Sequence, residues 1–260
     1  MKKSIIGLLC LCATVSLLTA SALAENASKK YSWYCIRNSE HAQPHLDNEL
    51  RFIEQYNGYH VDKKHGDSCD EKMVYLTFDA GYENGNIAKI LDVLKKEQVP
   101  GAFFVLGNLI TTNTDLILRM IDEGHTVCNH TYSHKDMTAY SREDFAAELK
   151  KLEDTYTQYT GKTMPKYYRP PKGTFSRENM EHANALGYKT IFWSFAYADW
   201  DNNKQMSPQK AKEKILSNIH NGAVLLLHPT SSTNAEILGE VIRELKEQGY
   251  EFGTLDQLTA

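Results

Sequence analysis

Polar side chains interrupt the apolar rhythm of this sequence at the ends of five predicted strands. They are Asp79, His130, Arg169, Asp199 and His228. Because the carboxyl ends of the strands in a parallel α/β fold share one face, residues that are far apart in the sequence would converge there. One histidine at a strand end is usually an ordinary buried polar residue, but five polar positions on one face indicate a site.

The histidines suggest two kinds of chemistry, metal binding and proton transfer. His130 and His134, in "NHTYSH", stand four residues apart. This spacing predicts two imidazoles on the same side of a helical turn, which suits a borderline metal such as zinc. His228 follows an apolar run, so we expect its ring in a partly desolvated environment that favours proton transfer.

Arg169 opens the segment "RPPKG", residues 169–173, in which two prolines stiffen the chain. One interpretation is a guanidinium held rigidly enough to orient a carboxylate. The alternative is an ordinary exposed arginine before a turn. The sequence by itself leaves both open.

Short apolar runs alternate with amphipathic segments from Met73 onward. The strand-like runs are "MVYLTF", "AFFVL", "HTVCN", "KYYR", "KTIFWS", "AVLLL" and "YEFGTL", and the predicted helices cover 85–97, 112–123, 141–159, 176–186, 207–220 and 234–248. Strands that are apolar on both faces and joined by helices imply a parallel sheet. About 190 residues are few for an eight-unit barrel, which takes about 250. We therefore predict an α/β fold, a distorted and shortened (β/α) barrel with about seven parallel strands.

The first 24 residues have the order of a secretory signal: Lys2 and Lys3, an apolar stretch, then small residues up to Ala24. We expect cleavage after Ala24; an uncleaved membrane anchor is the alternative. Without the two lysines, 27 of the 29 basic residues remain against 33 acidic ones, a formal charge of −6. Nucleic acid is therefore not an expected partner.

Residues 25–70 lack the βα rhythm and are interpreted as an N-terminal extension packed on the barrel, which itself spans residues 71–260. After signal cleavage three cysteines remain, Cys35, Cys69 and Cys128. Cys35 and Cys69 could form a disulfide, although spacing cannot fix connectivity. Cys128 lies in an apolar run and is expected to be a buried thiol.

Five motifs in this order resemble those of the NodB-homology polysaccharide deacetylases, carbohydrate esterase family 4. They are "TFDAG", "HTYSH", "RPPKG", "DW" and "LLLH". The segments "SWYCIRN", "YNGY" and "TFDAGYENGN" further resemble the muramic acid delta-lactam branch. Its members remove acetyl groups from N-acetylmuramic acid in spore-cortex peptidoglycan. The resemblance covers nearly all of the mature chain.

The resemblance implies a role for each matching residue. Asp79 would be the general base and His228 the general acid of a metal-assisted amide hydrolysis, oriented by Arg169 and Asp199 respectively. His130 and His134 would hold a divalent metal, zinc first and cobalt or another ion as alternatives. The expected substrate-binding residues are Tyr82, Pro171, Lys172, Gly173 and Trp200.

Ala80 departs from the family pattern, because most members place a third metal ligand there and a methyl group cannot coordinate. We expect a metal held more weakly, by two imidazoles plus water or substrate oxygens. Glu83 or Asn84 could reach the site instead. The delta-lactam branch is understood to carry a neutral residue here, so Ala80 also agrees with that branch.

The implied partner is peptidoglycan, acted on by a secreted monomer in the cell wall or the spore cortex. A lactyl carboxylate on the muramic ring would need a nearby cation, for which Lys172 and Arg177 are candidates. Two alternatives stay open: deacetylation of N-acetylglucosamine polymers, and an inactive glycan-binding relative. A glycosidase is disfavoured, because no second carboxylate motif partners Asp79.

Overall fold

The computed structural model of this chain describes residues 28–38 and 40–260. The predicted signal peptide, residues 1–24, lies outside the described residues. Within the described ranges, no helix is both long enough and apolar enough to cross a bilayer.

Parallel strands form the centre of the fold. The strands of the described chain are β1 (Tyr31–Ser32), β2 (Gly58–Tyr59), β3 (Lys72–Ala80), β4 (Ala102–Val105), β5 (Thr126–Asn129), β6 (Tyr167–Tyr168), β7 (Thr174–Phe175), β8 (Lys189–Ile191), β9 (Ala223–Leu227) and β10 (Tyr250–Phe252). One sheet has the order β10-β3-β4-β5-β6-β8-β2, and β9 also pairs with β3. All these pairings are parallel.

The sheet curls because the segment after β8 returns to β9 through a parallel bridge between Phe195 and Leu225. The predicted distorted (β/α) barrel is confirmed, and all seven predicted strands form. The short edge strand β2 was not predicted, because the two residues "GY" carry no strand pattern of their own.

Helices connect the strands. Those that lie wholly within the described residues are α1 (Ile87–Glu97), α2 (Gly107–Thr112), α3 (Thr114–Asp122), α4 (Arg142–Thr160), α5 (Arg177–Ala185), α6 (Pro208–Leu216), α7 (Ser232–Glu247) and α8 (Leu255–Leu258), with 3-10 helices at Asn48–Tyr56, Met137–Ala139 and Pro171–Gly173. Helix α4 begins where predicted, because Ser141 Oγ accepts the Asp144 backbone N–H at 3.1 Å. Pro208 occupies the first turn of α6, where its missing N–H costs no hydrogen bond.

The core fixes the relative positions of the strand ends. Phe78 of β3 and Phe103 of β4 stack with ring centroids 4.8 Å apart, and every residue of β9 is buried. Burial of one such phenylalanine or leucine side chain stabilises a fold by roughly 1.5–3 kcal/mol. Residues that follow these strands therefore start from a rigid base.

The segment before β3 packs on the barrel through aromatic side chains. Trp33 stacks on Phe192 with centroids 4.2 Å apart, and its backbone N–H donates to the carbonyl of Gly173 at 2.7 Å. Strand β1 pairs antiparallel with β7. The division of the chain at residue 70 stays a prediction.

The three cysteines of the described residues are free, so the possible Cys35–Cys69 disulfide is not formed. Cys35 Sγ lies 3.5 Å from the carbonyl oxygen of Ser194, where burial raises the pKa of the thiol to about 11. Cys128 is fully buried in β5, as predicted.

Candidate active site

A cavity of about 690 Å³ lies at the carboxyl ends of the parallel strands. Seven of the predicted site residues line it: Asp79, Tyr82, His130, His134, Lys172, Trp200 and His228. The other lining residues are Gly81, Leu106, Trp193, Ala196, Tyr197, Leu226 and Thr230. Side chains from the ends of different strands therefore meet in one cavity, as expected from the sequence.

Arg169 lies behind Asp79 and is fully buried, so the interpretation as an exposed arginine is wrong. Its Nη1 donates to Asp79 Oδ1 at 2.8 Å, and its Nη2 donates to Thr77 Oγ1 at 2.8 Å. Its Nε donates to the carbonyl of Ile191 at 2.9 Å, and the guanidinium lies 4.1 Å from the ring centroid of Phe104. These contacts hold the guanidinium in one orientation.

The carboxylate of Asp79 lies next to the positively charged guanidinium of Arg169. Burial raises the pKa of its carboxyl, but nearby positive charge, from His130 when that ring is protonated and from Arg169 and His228, outweighs burial and holds the pKa below the ordinary value. Burial also lowers the pKa of His130, so that ring is neutral near pH 7 and Arg169 is the dominant partner. Asp79 is therefore ionised at neutral pH, with Oδ2 left for chemistry.

His228 is paired with Asp199 on the other side of the cavity. Its Nδ1 lies 2.7 Å from Asp199 Oδ1, and its backbone N–H donates to Asp199 Oδ2 at 2.8 Å. Burial lowers the pKa of His228, but the hydrogen bond and charge of Asp199 raise it above the ordinary value. With Nδ1 occupied, Nε2 is the nitrogen that can carry a proton into the cavity.

His130 and His134 meet in the cavity, but the predicted helical turn between them is wrong. They lie in a loop in which Thr131 and His134 adopt positive φ values of 69° and 57°. Thr131 Oγ1 accepts the backbone N–H of His134 at 2.9 Å, while Asn129 Oδ1 accepts that of Thr131 at 2.9 Å. These side-chain bonds replace helical ones, and the two rings lie with centroids 5.0 Å apart.

Both imidazoles are neutral, and each can offer a nitrogen lone pair to a metal ion. His130 Nδ1 lies 2.9 Å from the carbonyl of Arg169, which makes Nδ1 the donor and leaves the Nε2 lone pair free, 3.4 Å from Asp79 Oδ2. Burial lowers the pKa of His134 to about 4, so its ring is neutral and able to ligate. Among the described residues no group of three or more His, Cys, Asp or Glu has metal-site geometry. The residues present fit a weak site with two protein ligands.

Neither acidic nor amide neighbour replaces the ligand that Ala80 lacks. Ala80 is fully buried in the apolar core. Glu83 accepts the backbone N–H groups of Gly85 at 2.6 Å and Ile87 at 3.0 Å, so it caps α1 instead of reaching the site. Asn84 donates to the carbonyl of Thr230 at 2.8 Å.

Of the five expected substrate-binding residues, three line the cavity and two lie in the turn beneath it. Tyr82 and Trp200 are exposed at the rim, by 47% and 61%. Lys172 also lines the cavity, with a φ of 59°. Pro171 and Gly173 are buried in the turn beneath it, and a Cβ at Gly173 would lie 2.8 Å from a Trp193 ring atom. These two shape the loop and do not line the cavity described here.

Arg177, the second candidate cation, is placed elsewhere: its guanidinium lies 4.0 Å from the ring centroid of Phe52. Three residues that the sequence interpretation missed support the site, Thr77, Trp193 and Asn234. Thr77 was detectable in principle, because it stands two residues before Asp79 and thus on the same face of β3.

A buried arginine–carboxylate pair faces a carboxylate–histidine pair at the mouth of the (β/α) barrel, and together they offer one group that can accept a proton and one that can donate it, as a hydrolysis requires. A family model described as polysaccharide deacetylase matches residues 66–191. The chain belongs to this family, carbohydrate esterase family 4, and is a polysaccharide deacetylase.

Several individual proteins resemble this chain over most of its length. The peptidoglycan-N-acetylmuramic acid deacetylase PdaA of Bacillus subtilis is 39% identical over 95% of this chain and 93% of its own. Its solved structure matches with a TM-score of 0.83, over 89% of this chain and 97% of that one. A family 4 carbohydrate esterase from Bacillus anthracis is 37% identical, with a TM-score of 0.73 over 89% and 96% of the two chains. A CE4 family pseudoenzyme from Bacillus anthracis is 30% identical, with a TM-score of 0.67 over 74% and 66%.

Proposed function

We propose that this protein is a secreted peptidoglycan deacetylase that removes acetyl from N-acetylmuramic acid, as a monomer acting in the cell wall. Delta-lactam formation in the spore cortex is the process that we assign to it. The single observation that carries the proposal is the cavity in which Asp79, His228 and Lys172 face one another. The 39% identity to PdaA over nearly the whole of both chains supports the muramic assignment.

The two proton-transfer groups divide the hydrolysis between them. Asp79, kept ionised by Arg169, accepts the proton of the attacking water. His228, kept protonated by Asp199, donates its proton to the amine as the C–N bond breaks. The nitrogen leaves poorly as an anion, so the reaction needs an acid to protonate it as well as a base to activate water.

Deacetylases of this family are generally metal-dependent. We assign His130 and His134 as the ligands of a divalent ion, with zinc as the first choice and cobalt as another candidate. When bound, such an ion supplies Lewis-acid polarisation of the carbonyl oxygen and of water. With two protein ligands, its affinity should be lower than in relatives with a full ligand set.

We expect Ala80→Asp to tighten zinc binding by at least roughly tenfold, because it adds a carboxylate next to the base. The metal-free variant should also unfold at a lower temperature, since Ala80 lies in the apolar core and an unpaired carboxylate there is unfavourable. Calorimetric titration with zinc measures the first effect and a thermal melt the second.

Ala80→Asn is the matched control, because it has the shape of aspartate without the charge and should leave zinc affinity nearly unchanged. An equal gain in both variants would assign the effect to shape. Full activity of the natural chain with no divalent metal bound, when zinc and cobalt are each titrated to millimolar concentration, would remove the metal from the mechanism.

Substrate choice depends on the lactyl group that distinguishes muramic acid from glucosamine. Among the described residues that line the cavity, Lys172 is the one lysine or arginine. We expect Lys172→Ala to reduce the preference for muramic over glucosamine acetyl groups about threefold to fivefold, as for the loss of one exposed ion pair of ~1 kcal/mol. Mass spectrometry of wall fragments with and without stem peptides measures acetyl loss from each sugar on one polymer.

Lys135→Ala is the control for this experiment, because Lys135 is exposed beside His134 but is not among the residues that line the cavity. It should leave the preference unchanged. Chitin oligomers have no lactyl group. If they released acetate as fast as peptidoglycan does, the muramic assignment would be rejected and an N-acetylglucosamine deacetylase favoured.

An inactive glycan-binding protein is the second candidate, favoured by Ala80 and by the likeness to a CE4 family pseudoenzyme. Against it, the chain keeps both buried pairs, Asp79 with Arg169 and His228 with Asp199. Absence of acetate release from any wall polymer, with zinc supplied and glycan binding intact, would favour this candidate.

A further inference from the structure

A chain of buried hydrogen bonds continues behind the His228–Asp199 pair. Asn234 is 1% exposed and lies in the first turn of α7. Its Nδ2 donates to Asp199 Oδ2 at 2.6 Å and to the carbonyl of His228 at 3.1 Å. Its Oδ1 accepts a short hydrogen bond from the hydroxyl of Tyr197. One amide group thus connects both members of the pair to the cavity wall.

Its neighbours fix the orientation of this amide. An ionised carboxylate and a carbonyl oxygen only accept hydrogen bonds, so Nδ2 must face Asp199 and His228. Oδ1 must then face Tyr197, whose hydroxyl keeps its proton because burial raises its pKa. The flipped amide would bring oxygen against oxygen at 2.6 Å. No other arrangement satisfies all the polar atoms.

Asn234 is one of three hydrogen-bonding groups that hold the carboxylate of Asp199. Its Oδ1 is used by the His228 ring, while its Oδ2 accepts the backbone N–H of His228 and the side chain of Asn234. The same helix turn also braces its backbone: Ser231 Oγ donates to Gln205 Oε1 at 2.5 Å, and Gln205 Nε2 donates to the carbonyl of Asp199 at 2.9 Å. Residues at the start of α7 therefore hold both the carboxylate and the backbone carbonyl of Asp199.

We propose that Asn234 is a positioning residue for deacetylation: it fixes the carboxylate of Asp199, and through it the orientation in which His228 turns Nδ1 away from the cavity and Nε2 towards it. The inference rests on the proposed role of His228 as general acid. Asn234 touches neither substrate nor reacting atoms, so its effect should appear in kcat and leave KM nearly unchanged.

The test replaces Asn234 with Leu, which is similar in size and has no hydrogen-bonding atoms. We expect a loss of about tenfold in kcat, a fraction of the 10²–10⁴ that a positioned proton donor supplies, with KM changed less than twofold. Acetate release is measured on whichever of peptidoglycan or chitin oligomers supports turnover. Proton NMR of ¹⁵N-histidine-labelled protein should show that the deshielded Nδ1 proton of His228 is lost or strongly shifted.

Thr233→Val is the matched control, because Thr233 is a buried neighbour whose Oγ1 donates to the carbonyl of Met206 at 2.8 Å, away from Asp199. It removes one buried hydrogen bond from the same turn and should leave both kcat and the NMR signal unchanged. Equal losses in the two variants would mean a general structural effect and overturn the proposal.

Asn234→Asp covers the case in which the leucine variant does not fold. It keeps the side-chain shape but sets a second carboxylate against Asp199, so kcat at pH 8 should fall at least about fivefold. Unchanged kcat and an unchanged His228 Nδ1 signal in either folded variant would overturn the proposal. Full activity of His228→Ala would instead reject the acid assignment, while the NMR signal of Asn234→Leu would still report on positioning.

Discussion

Replacing Asp79 with Asn or His228 with Ala should lower kcat by at least about a hundredfold each, the usual contribution of a positioned proton-transfer group. Asparagine keeps the shape of Asp79 and its contact with Arg169 Nη1, but it cannot accept the proton of water. Alanine at residue 228 leaves the departing amine without a proton donor. Acetate release under saturating substrate measures both effects.

Asp201→Asn is a suitable control, because Asp201 follows the rim residue Trp200 and its carboxylate accepts a local hydrogen bond, from the backbone N–H of Asn203 at 3.0 Å. It should keep kcat within about twofold, as expected for a surface substitution. A rate near that of the natural protein in either active-site variant would show that another group transfers the proton.

The pH profile gives a second check on the same pair. His228 acts while protonated, and the charge of Asp199 raises its pKa, so kcat/KM should stay high through pH 6.5 and fall as the pH rises past the pKa of His228. Asp79 acts while ionised, and its pKa lies below 3.8, so activity should be lost on the acid side only below that region. In His228→Ala the residual activity should lose the alkaline fall assigned to this ring.

Hydrophobic periodicity predicted the architecture well, because a strand buried on both faces must be apolar along its whole length. The five apolar residues of β9 and the buried run of β3 are of this kind, and the residues that follow them were correctly expected on one face. Helix starts at Ser141 and Pro208 were predictable because capping is a local interaction.

Features that depend on distant contacts were not predictable in this way. The burial of Arg169 follows from Phe104, Ile191 and Trp193, which come from other strands and from the loop after β8. The loop of His130 and His134 avoids a helical turn because Asn129 and Thr131 bind backbone groups, although their spacing alone fits a helix.

The same limit applies to the N-terminal segment and to Asn234. Residues around Trp33 have no periodic pattern, yet they hold the turn that carries Lys172 by pairing β1 with β7. Asn234 lies 35 residues from Asp199, at the start of an ordinary amphipathic helix. A single asparagine there gives no local signal of its partner.

Arg169→Met should be the most destabilising change, lowering the free energy of unfolding by about 3–5 kcal/mol at pH 7, the range for a buried charge that has lost its partner. Methionine fills similar space but leaves Asp79 ionised in a buried site and Thr77 Oγ1 without its donor. Activity should fall together with stability, because the base loses its orientation. Urea unfolding followed by circular dichroism measures the change.

The pH dependence of this loss separates charge from packing. In the natural protein the lowered pKa of Asp79 stabilises the fold above about pH 4, and this contribution disappears as the pH falls through that pKa. Without Arg169, burial raises the pKa of Asp79 instead, so protonation relieves the unpaired charge. The difference in unfolding free energy between the two proteins should therefore shrink as the pH is lowered from 7 towards 4.

Arg243→Met provides the matched comparison, because Arg243 also pairs with one carboxylate, that of Glu97 at 2.7 Å, but its side chain is half exposed on α7. Its loss should cost no more than about 1 kcal/mol, since solvent screens exposed pairs. Similar costs for the two arginines would mean that the Asp79 pair is as well solvated as a surface pair. A cost at residue 169 that stays constant between pH 7 and 4 would assign it to lost packing over Phe104, and the charge argument for Asp79 would fail.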